Sequence, residues 1–210
     1  MELRDIISCY NKTANNYAEQ YKDEIGKKHF DQILLRSFAA ENINTHILDL
    51  GCGPGQTTKY LSDCGASNII GTDIAPLMIE AAKGLYPSLT FETADMLALP
   101  YPDNSFGAAL AFYSIVHFDE TQLKKAFTEI RRILIRRSPF LFSFHIGDHI
   151  LHLEDFLDHN VSVDFHFFHP TKIKDLVVEA GFSVTDFIVR DPYPEIEYPS
   201  KRAYIWVEVS

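Results

Sequence analysis

Residues 47–55 read ILDLGCGPG, a short apolar run that stops in three alternate glycines. Four residues of this kind suit a strand buried on both faces. Glycines give the backbone conformations closed to other residues and let it pass close to a flat ligand. Residues 57–64 then read as a helix, so the turn ends at a helix N-terminus with unpaired N–H groups. Strand, glycine turn and helix make the first half of a βαβ unit. Taken alone, the turn reads as well as an ordinary tight strand-to-helix connection.

Downstream the alternation continues. Short apolar segments at 46–50, 68–72, 89–93, 106–112 and 140–145 read as strands, with helices expected over 75–83 and 121–136. Pro76 sits in the first turn of its helix, where a missing N–H costs nothing. Residues 146–170 read as irregular, 171–180 as a helix stopped by Gly181, and 182–189 and 202–209 as two closing strands. Strands separated by helices imply a doubly wound, mostly parallel α/β sheet. The last two strands have no helix between them, so one is expected to run antiparallel at or near the sheet edge. Upstream, spaced apolar positions (Ile6, Ile7, Tyr10, Tyr17, Tyr21, then Ile33, Leu34, Phe38) read as two helices over residues 1–41, lying against the body. The expectation is one domain over 1–210, with 1–41 a helical lid and 146–170 a cap insertion.

The formal charge of −10 argues against nucleic acid as substrate, because an acidic surface repels a phosphate backbone. Arg131, Arg132, Arg136 and Arg137 form the densest basic group, at the end of an expected helix where cations favour the helix dipole. Three cysteines (Cys9, Cys52, Cys64) without a C-x-x-C spacing suit free thiols in a reducing compartment. The first residues carry no apolar core of signal-peptide length, and no apolar run approaches the ~20 residues that cross a bilayer. These features lead to a cytoplasmic protein without a membrane partner, monomeric or homodimeric.

Ligands of such sheets bind at the carboxyl ends of the strands, beside the topological switch point. Asp73 ends the second strand in IIGTDIAP, 18 residues after Gly55, where a carboxylate can accept from both hydroxyls of a ribose. A helix N-cap is the other reading of Asp73. ADMLALP follows the third strand: Asp95 can accept an exocyclic amine of adenine, the Met96 amide can donate to the ring, and Ile74, Met78 and Leu97 can sandwich it. A solvated loop aspartate is the plain alternative.

ILDLGCGPG, Asp73 and ADMLALPYPDNSFGAALAFYSIVHF, in that order, resemble the class I S-adenosylmethionine-dependent methyltransferases, and within them the small-molecule group around the ubiquinone/menaquinone-biosynthesis type. The resemblance covers about residues 10–145. It implies a seven-stranded sheet with one antiparallel strand and S-adenosylmethionine as cofactor. By the same resemblance Asp49 and the loop of Gly51, Cys52, Gly53 and Gly55 hold the methionine end, Asp73 the ribose, and Asp95 and Met96 the adenine. It further implies that residues 111–117 lie beneath the sulfonium with Ala111 near the methionine amine, and that Tyr10, Tyr17 and Tyr21 form a lid, Tyr17 at the carboxylate. Two departures stand out. The family's paired residues after the fourth strand are Val116–His117 here, and its Lys-Pro-Gly-Gly turn is replaced by Arg136–Arg137–Ser138–Pro139.

The expected reaction is in-line transfer of a methyl group to a small-molecule acceptor, in which the protein contributes mainly proximity and alignment. His117 is the candidate base, should the acceptor need to lose a proton, and Tyr113 and Ser114 are candidate pocket residues. Six histidines (His145, His149, His152, His159, His166, His169) crowd residues 145–170 with Phe156, Phe165, Phe167 and Phe168. An aromatic cap over the acceptor is the preferred reading and no metal is expected. The Pro-rich segment 190–206 reads either as a stiff hairpin connection or as an arch bringing Arg190, Glu195 or Tyr198 to the pocket. Two other functions stay open: a non-enzymatic S-adenosylmethionine-binding regulator, and a NAD-dependent dehydrogenase, whose G-x-G-x-x-G would need glycine at Gln56.

Overall fold

The computed structural model describes residues 2–210. Its centre is β1 (Ile47–Leu50), buried along its whole length. Parallel neighbours flank it: β2 (Ile69–Asp73) pairs Ile47 with Ile69, and β4 (Ala108–Phe112) pairs Asp49 with Leu110. With β3 (Thr90–Thr93), β5 (Pro139–His145), β8 (Phe182–Arg190) and β9 (Arg202–Val209), the sheet has seven strands in the order β3-β2-β1-β4-β5-β9-β8. β9 alone runs antiparallel, against both β5 and β8. The chain leaves β1 toward β2 and β3 and returns on the other side as β4, so the switch point lies between β1 and β4.

The period-two alternation of strands sorts the core into two layers. Leu48, Leu50, Phe140, Phe142 and Phe144 face one side, against α6 (Glu120–Ile133) and α7 (Pro170–Glu179). Ile47, Ile69, Leu110, Leu141 and Tyr204 face the other, against α3 (His29–Glu41) and α4 (Gln56–Asp63). α6 begins in a capping box, Asp119 accepting from the Gln122 amide at 2.9 Å. It ends at Ile133 rather than 136, because Leu134 turns extended and bridges Phe106. Of the arginine group, Arg132 is spent internally on Glu129 and Asp103 and on the carbonyls of Leu99 and Tyr101.

Upstream there are three helices rather than two: α1 (Leu3–Tyr21), a single turn α2 (Glu24–Lys27), and α3. α1 buries Ile6, Cys9, Thr13 and Ala14, a helical stripe, against α5 (Pro76–Leu85) and a hairpin from the 146–170 region. That region is not irregular. It folds into β6 (Ile150–Phe156) and β7 (His159–His166), a two-stranded antiparallel sheet apart from the main one. Its connection is Leu157–Asp158, at φ of 53° and 64°, the two-residue geometry that usually selects Asn-Gly. α1 holds the hairpin in place: Asn16 Nδ2 donates to the Leu157 carbonyl and Lys12 Nζ to that of Asn160, each at 3.0 Å. Among the described residues no helix is long and apolar enough to cross a membrane.

Candidate active site

Glycine is needed at position 51 for space as well as conformation. Gly51 has φ 69°, and a Cβ there would stand 2.3 Å from the Cβ of Ser114, whose hydroxyl donates to the Leu50 carbonyl at 2.7 Å. Gly53 differs. Its φ is 54°, yet a Cβ would meet nothing nearer than the Tyr17 ring at 4.0 Å. The backbone at Gly53 is therefore bare toward a cavity of about 360 Å³ that runs along the carboxyl ends of the strands. This volume suits a small organic ligand.

At one end of the cavity stand Asp73, Ile74, Met78, Asp95 and Met96. Asp73 accepts from the Gly53 amide through Oδ2 (3.0 Å) and from the Ala75 amide through Oδ1 (2.8 Å). Each oxygen keeps lone-pair capacity for a ligand hydroxyl. Burial raises its pKa, against the three backbone amides of Ala75, Gly53 and Ile74. Ala75, not Asp73, is the N-cap residue of α5, so Asp73 braces the glycine loop instead of capping the helix. Asp95 accepts from the Leu97 amide at 2.8 Å. Leu97 itself is buried in the core and does not line the cavity.

Gly51, Cys52, Gly53, Tyr17, Tyr113, Ser114 and His117 also reach the cavity. Asp49, Gly55 and Ala111 do not. Asp49 is 1% exposed, directed back at α4, where Thr58 Oγ1 donates to it at 2.6 Å; burial pushes its pKa up to about 7. Gly55 is the N-cap of α4 at φ 90°, and Ala111 is wholly buried in β4.

Above the cavity, Tyr10 and Tyr17 of α1 and Phe156 of the hairpin meet at ring-centroid distances of 6.1–6.4 Å. His117 lies in a 3-10 turn (Ile115–His117) beneath them. Its Nδ1 is 2.8 Å from the Asp164 carbonyl, which can only accept, so Nδ1 carries the proton. Nε2 is then the acceptor for the Tyr10 hydroxyl at 2.6 Å. Burial pushes the His117 pKa down to about 4, which keeps the ring neutral. The other histidines are dispersed: His145 bonds Ser200, His152 pairs with Asp164, and His149 stacks on Phe167. Among the described residues no three His, Cys, Asp or Glu side chains gather as a metal site.

Past Tyr113 the cavity ends in a buried ionic group that the sequence reading missed. Lys28 is paired with Glu24 and Glu197, Arg190 with Asp31 and Glu197, and Arg202 with Glu197. Glu197, Asp31 and Arg202 have side chains at most 2% exposed. The segment after β8 does arch to the cavity, through Ile196, Glu197 and Tyr198; Glu195 and Arg190 do not line it. One signal was available. Asp31 precedes Leu34, Leu35 and Phe38 by three, four and seven residues, the spacing of the buried stripe of α3.

Residues 47–136 match the family model described as a methyltransferase domain. Among curated proteins the chain is similar to the O-methyltransferase cnsE of Penicillium expansum, 29% identical over 67% of this chain and 53% of that protein. It is likewise similar to an O-methyltransferase of Pyrenophora dematioidea, 30% identical over 68% of this chain and 56% of that protein. The chain thus spans little more than half the length of these relatives. Among solved structures, an S-adenosylmethionine-dependent methyltransferase from Methanosarcina mazei superposes with a TM-score of 0.70 at 17% identity, covering 79% of this chain and 92% of that one. Residues 47–136 thus carry a match to a methyltransferase domain, set in a sheet that shares the fold of this solved structure.

Proposed function

We propose that the protein binds S-adenosylmethionine along the strand ends and transfers its methyl group to the hydroxyl of a small molecule. One observation carries the reading: Asp73 and Asp95 border one cavity together with apolar Ile74 and Met78 and the bare backbone of Gly53. That set fits a nucleoside, with a carboxylate for the ribose, a carboxylate and apolar faces for the base, and a cradle which any Cβ at position 53 would fill. Tyr17, beside Gly53, closes the methionine end, and Cys52 and Met96 complete the wall. When bound, the cofactor supplies an activated methyl group with its leaving group already in place. The chain's own residues orient it, exclude water and manage the acceptor's proton.

A small acceptor follows from enclosure: α1 and the β6–β7 hairpin roof the cavity with aromatic rings. Oxygen as the acceptor atom is supported by the two curated relatives described above, both O-methyltransferases. In this reading His117 positions Tyr10 and thereby the lid, since its Nε2 is already engaged and its proton affinity is low. Titration calorimetry tests the core of the proposal. Wild type should take up both S-adenosylmethionine and S-adenosylhomocysteine, and Asp73→Ala should lose both while its circular dichroism stays native. Undiminished affinity in Asp73→Ala removes the ribose role.

A further inference from the structure

Tyr113 is the first residue after β4, and it stands at φ 56°. A non-glycine residue in that region costs of order 1–3 kcal/mol and persists only where its surroundings impose it. Here they do. Ser143 Oγ accepts from the Tyr113 amide at 3.0 Å, and the ring lies under the Lys28 ammonium at 5.1 Å. Its neighbour Ser114 packs on Gly51, so Tyr113 lines the cavity next to the glycine loop.

The hydroxyl of Tyr113 heads a chain whose polarity can be worked out. Tyr204 Oη lies 2.6 Å from Asp31 Oδ1, and the ionised carboxylate only accepts, so Tyr204 donates its single proton there. Arg190 Nε donates to the Tyr204 oxygen at 2.9 Å. Tyr113 Oη, 2.6 Å from the same oxygen, must then donate to it. Its proton spent, Tyr113 offers the cavity only lone pairs. At the far end, Asp31 is buried and its Oδ2 has no hydrogen-bond partner among the described residues.

We propose that Tyr113, Tyr204 and Asp31 form a relay that accepts the proton of a phenolic acceptor during methyl transfer, with Tyr113 the catalytic residue and Tyr204 and Asp31 positioning residues behind it. The inference rests on the methyltransferase reading above. As the acceptor oxygen forms its bond to the methyl carbon, the electron pair of the methyl–sulfur bond stays on sulfur. The acceptor's proton passes to Tyr113 Oη, that of Tyr113 to Tyr204, and that of Tyr204 to Asp31 Oδ1. Three O–H bonds break and three form, leaving a neutral carboxylic acid that later yields its proton to solvent. The acceptor class follows from matching. A phenol, whose pKa lies close to the tyrosine reference of about 10, gives up its proton to a buried carboxylate far more readily than an aliphatic alcohol does. Burial favours the protonated form of Asp31, against the pull of Tyr204, Lys28 and Arg190. His145 beside Tyr113, with Phe167 and Tyr198 packed on it in turn, supplies flat faces along the cavity for an aromatic ring.

The test uses para-substituted phenols of graded acidity, from 4-methoxyphenol to 4-nitrophenol, with S-adenosylhomocysteine formation counted at pH 8. Wild type should methylate 4-methoxyphenol. Tyr113→Phe should lose about 10²-fold or more on it, the range of general base catalysis. On 4-nitrophenol, already ionised at that pH, the same variant should stay within about fivefold of wild type. Tyr204→Phe and Asp31→Asn should repeat the pattern, and calorimetry should find S-adenosylhomocysteine binding unchanged in all three. On protein loaded with S-adenosylhomocysteine, the affinity for 4-methoxyphenol should fall about fivefold to tenfold in Tyr113→Phe, as one hydrogen bond is lost. Equal losses on all phenols, no loss on any, or cofactor binding without methylation of any phenol would each overturn the relay. Absence of cofactor binding in wild type would instead overturn the reading beneath it.

Discussion

Two glycines two positions apart do different work, and their substitutions should separate folding from binding. Alanine at position 51 combines a left-handed backbone, worth about 1–2 kcal/mol, with a clash against Ser114. We expect Gly51→Ala to lose about 2–5 kcal/mol in urea unfolding, the sum of that strain and overpacking. Gly53→Ala carries the strain without the clash, so it should fold, losing about 1–2 kcal/mol, yet bind S-adenosylhomocysteine at least about tenfold more weakly because the methyl occupies the cradle. Equal stability of the two variants would contradict this division. Asp49 makes a second residue-level case. Its folded pKa of about 7 lies above its ordinary value of 3.8, so between those pH values the folded state holds a proton the unfolded state has released. Its contribution is complete below about pH 4 and falls as pH rises toward 7, by on the order of 4 kcal/mol. Asp49→Asn cannot ionise, so the melting temperature of the variant should gain on that of wild type across this window. Parallel curves would show that the Asp49 carboxyl titrates normally.

Among elements, the main sheet was legible in the sequence and the hairpin was not. The central strands of the sheet are short apolar runs bounded by a helix or turn signal, and boundaries shifted by only a residue or two at most ends. The residues 151, 153, 161, 163 and 165 do alternate as Leu, Leu, Val, Val and Phe. Their turn, Leu157–Asp158, lacks the Asn-Gly signature, and the histidines between them hid the alternation. What holds this turn is long-range, the Asn16 bond from α1, and local pattern cannot reveal such a partner. That the glycine loop, Asp73 and Asp95 border one cavity was legible, because strand ends place them together. Asp49, Gly55 and Ala111 do not line the cavity, and a motif by itself does not tell a residue on the cavity wall from one behind it. The Tyr10–His117 bond ties α1 to the turn after β4. Tyr10→Phe leaves a buried ring nitrogen without its donor, costing about 1–3 kcal/mol. Hydrogen exchange should then quicken over residues 3–21 and the 150–166 hairpin while β1 and β4 stay protected. Unaltered exchange in α1 would mean that packing alone seats this helix.

Across the whole molecule, the buried ionic group ties the start of the chain to its end. Lys28 and Asp31 come from before the first strand, whereas Arg190, Glu197 and Arg202 come from the last two strands and the segment between them. Apart from the place of Asp31 on the buried stripe of α3, this pairing was not readable beforehand, because it depends on β9 entering the sheet antiparallel beside β5 and presenting Tyr204 to Asp31 and Arg202 to Glu197. Glu197 is the hub. It receives two bonds from Arg190, at 2.6 and 2.8 Å, and one from the Tyr193 amide, and lies within 3.4 Å of Lys28 and 3.2 Å of Arg202. Burial alone would raise its pKa, but Arg190, the Tyr193 amide, Lys28 and Arg202 hold it down at about 2. The stabilisation from Glu197 is therefore present above its ordinary value of 4.5 and is lost as pH falls toward 2. Glu197→Gln keeps the shape but leaves Lys28, Arg190 and Arg202 facing Glu24 and Asp31 alone. Removing one partner of a buried pair costs about 3–5 kcal/mol, because the charges left behind are uncompensated. We expect the unfolding free energy from urea titration to fall by that much at pH 7, with the difference shrinking below pH 4 as wild type protonates too. The loss should also shift Tyr204 and weaken the cavity's distal wall without touching Asp73, so cofactor affinity should hold while stability falls. A loss under about 1 kcal/mol at pH 7 would mean that solvent, not Glu197, compensates the three cations.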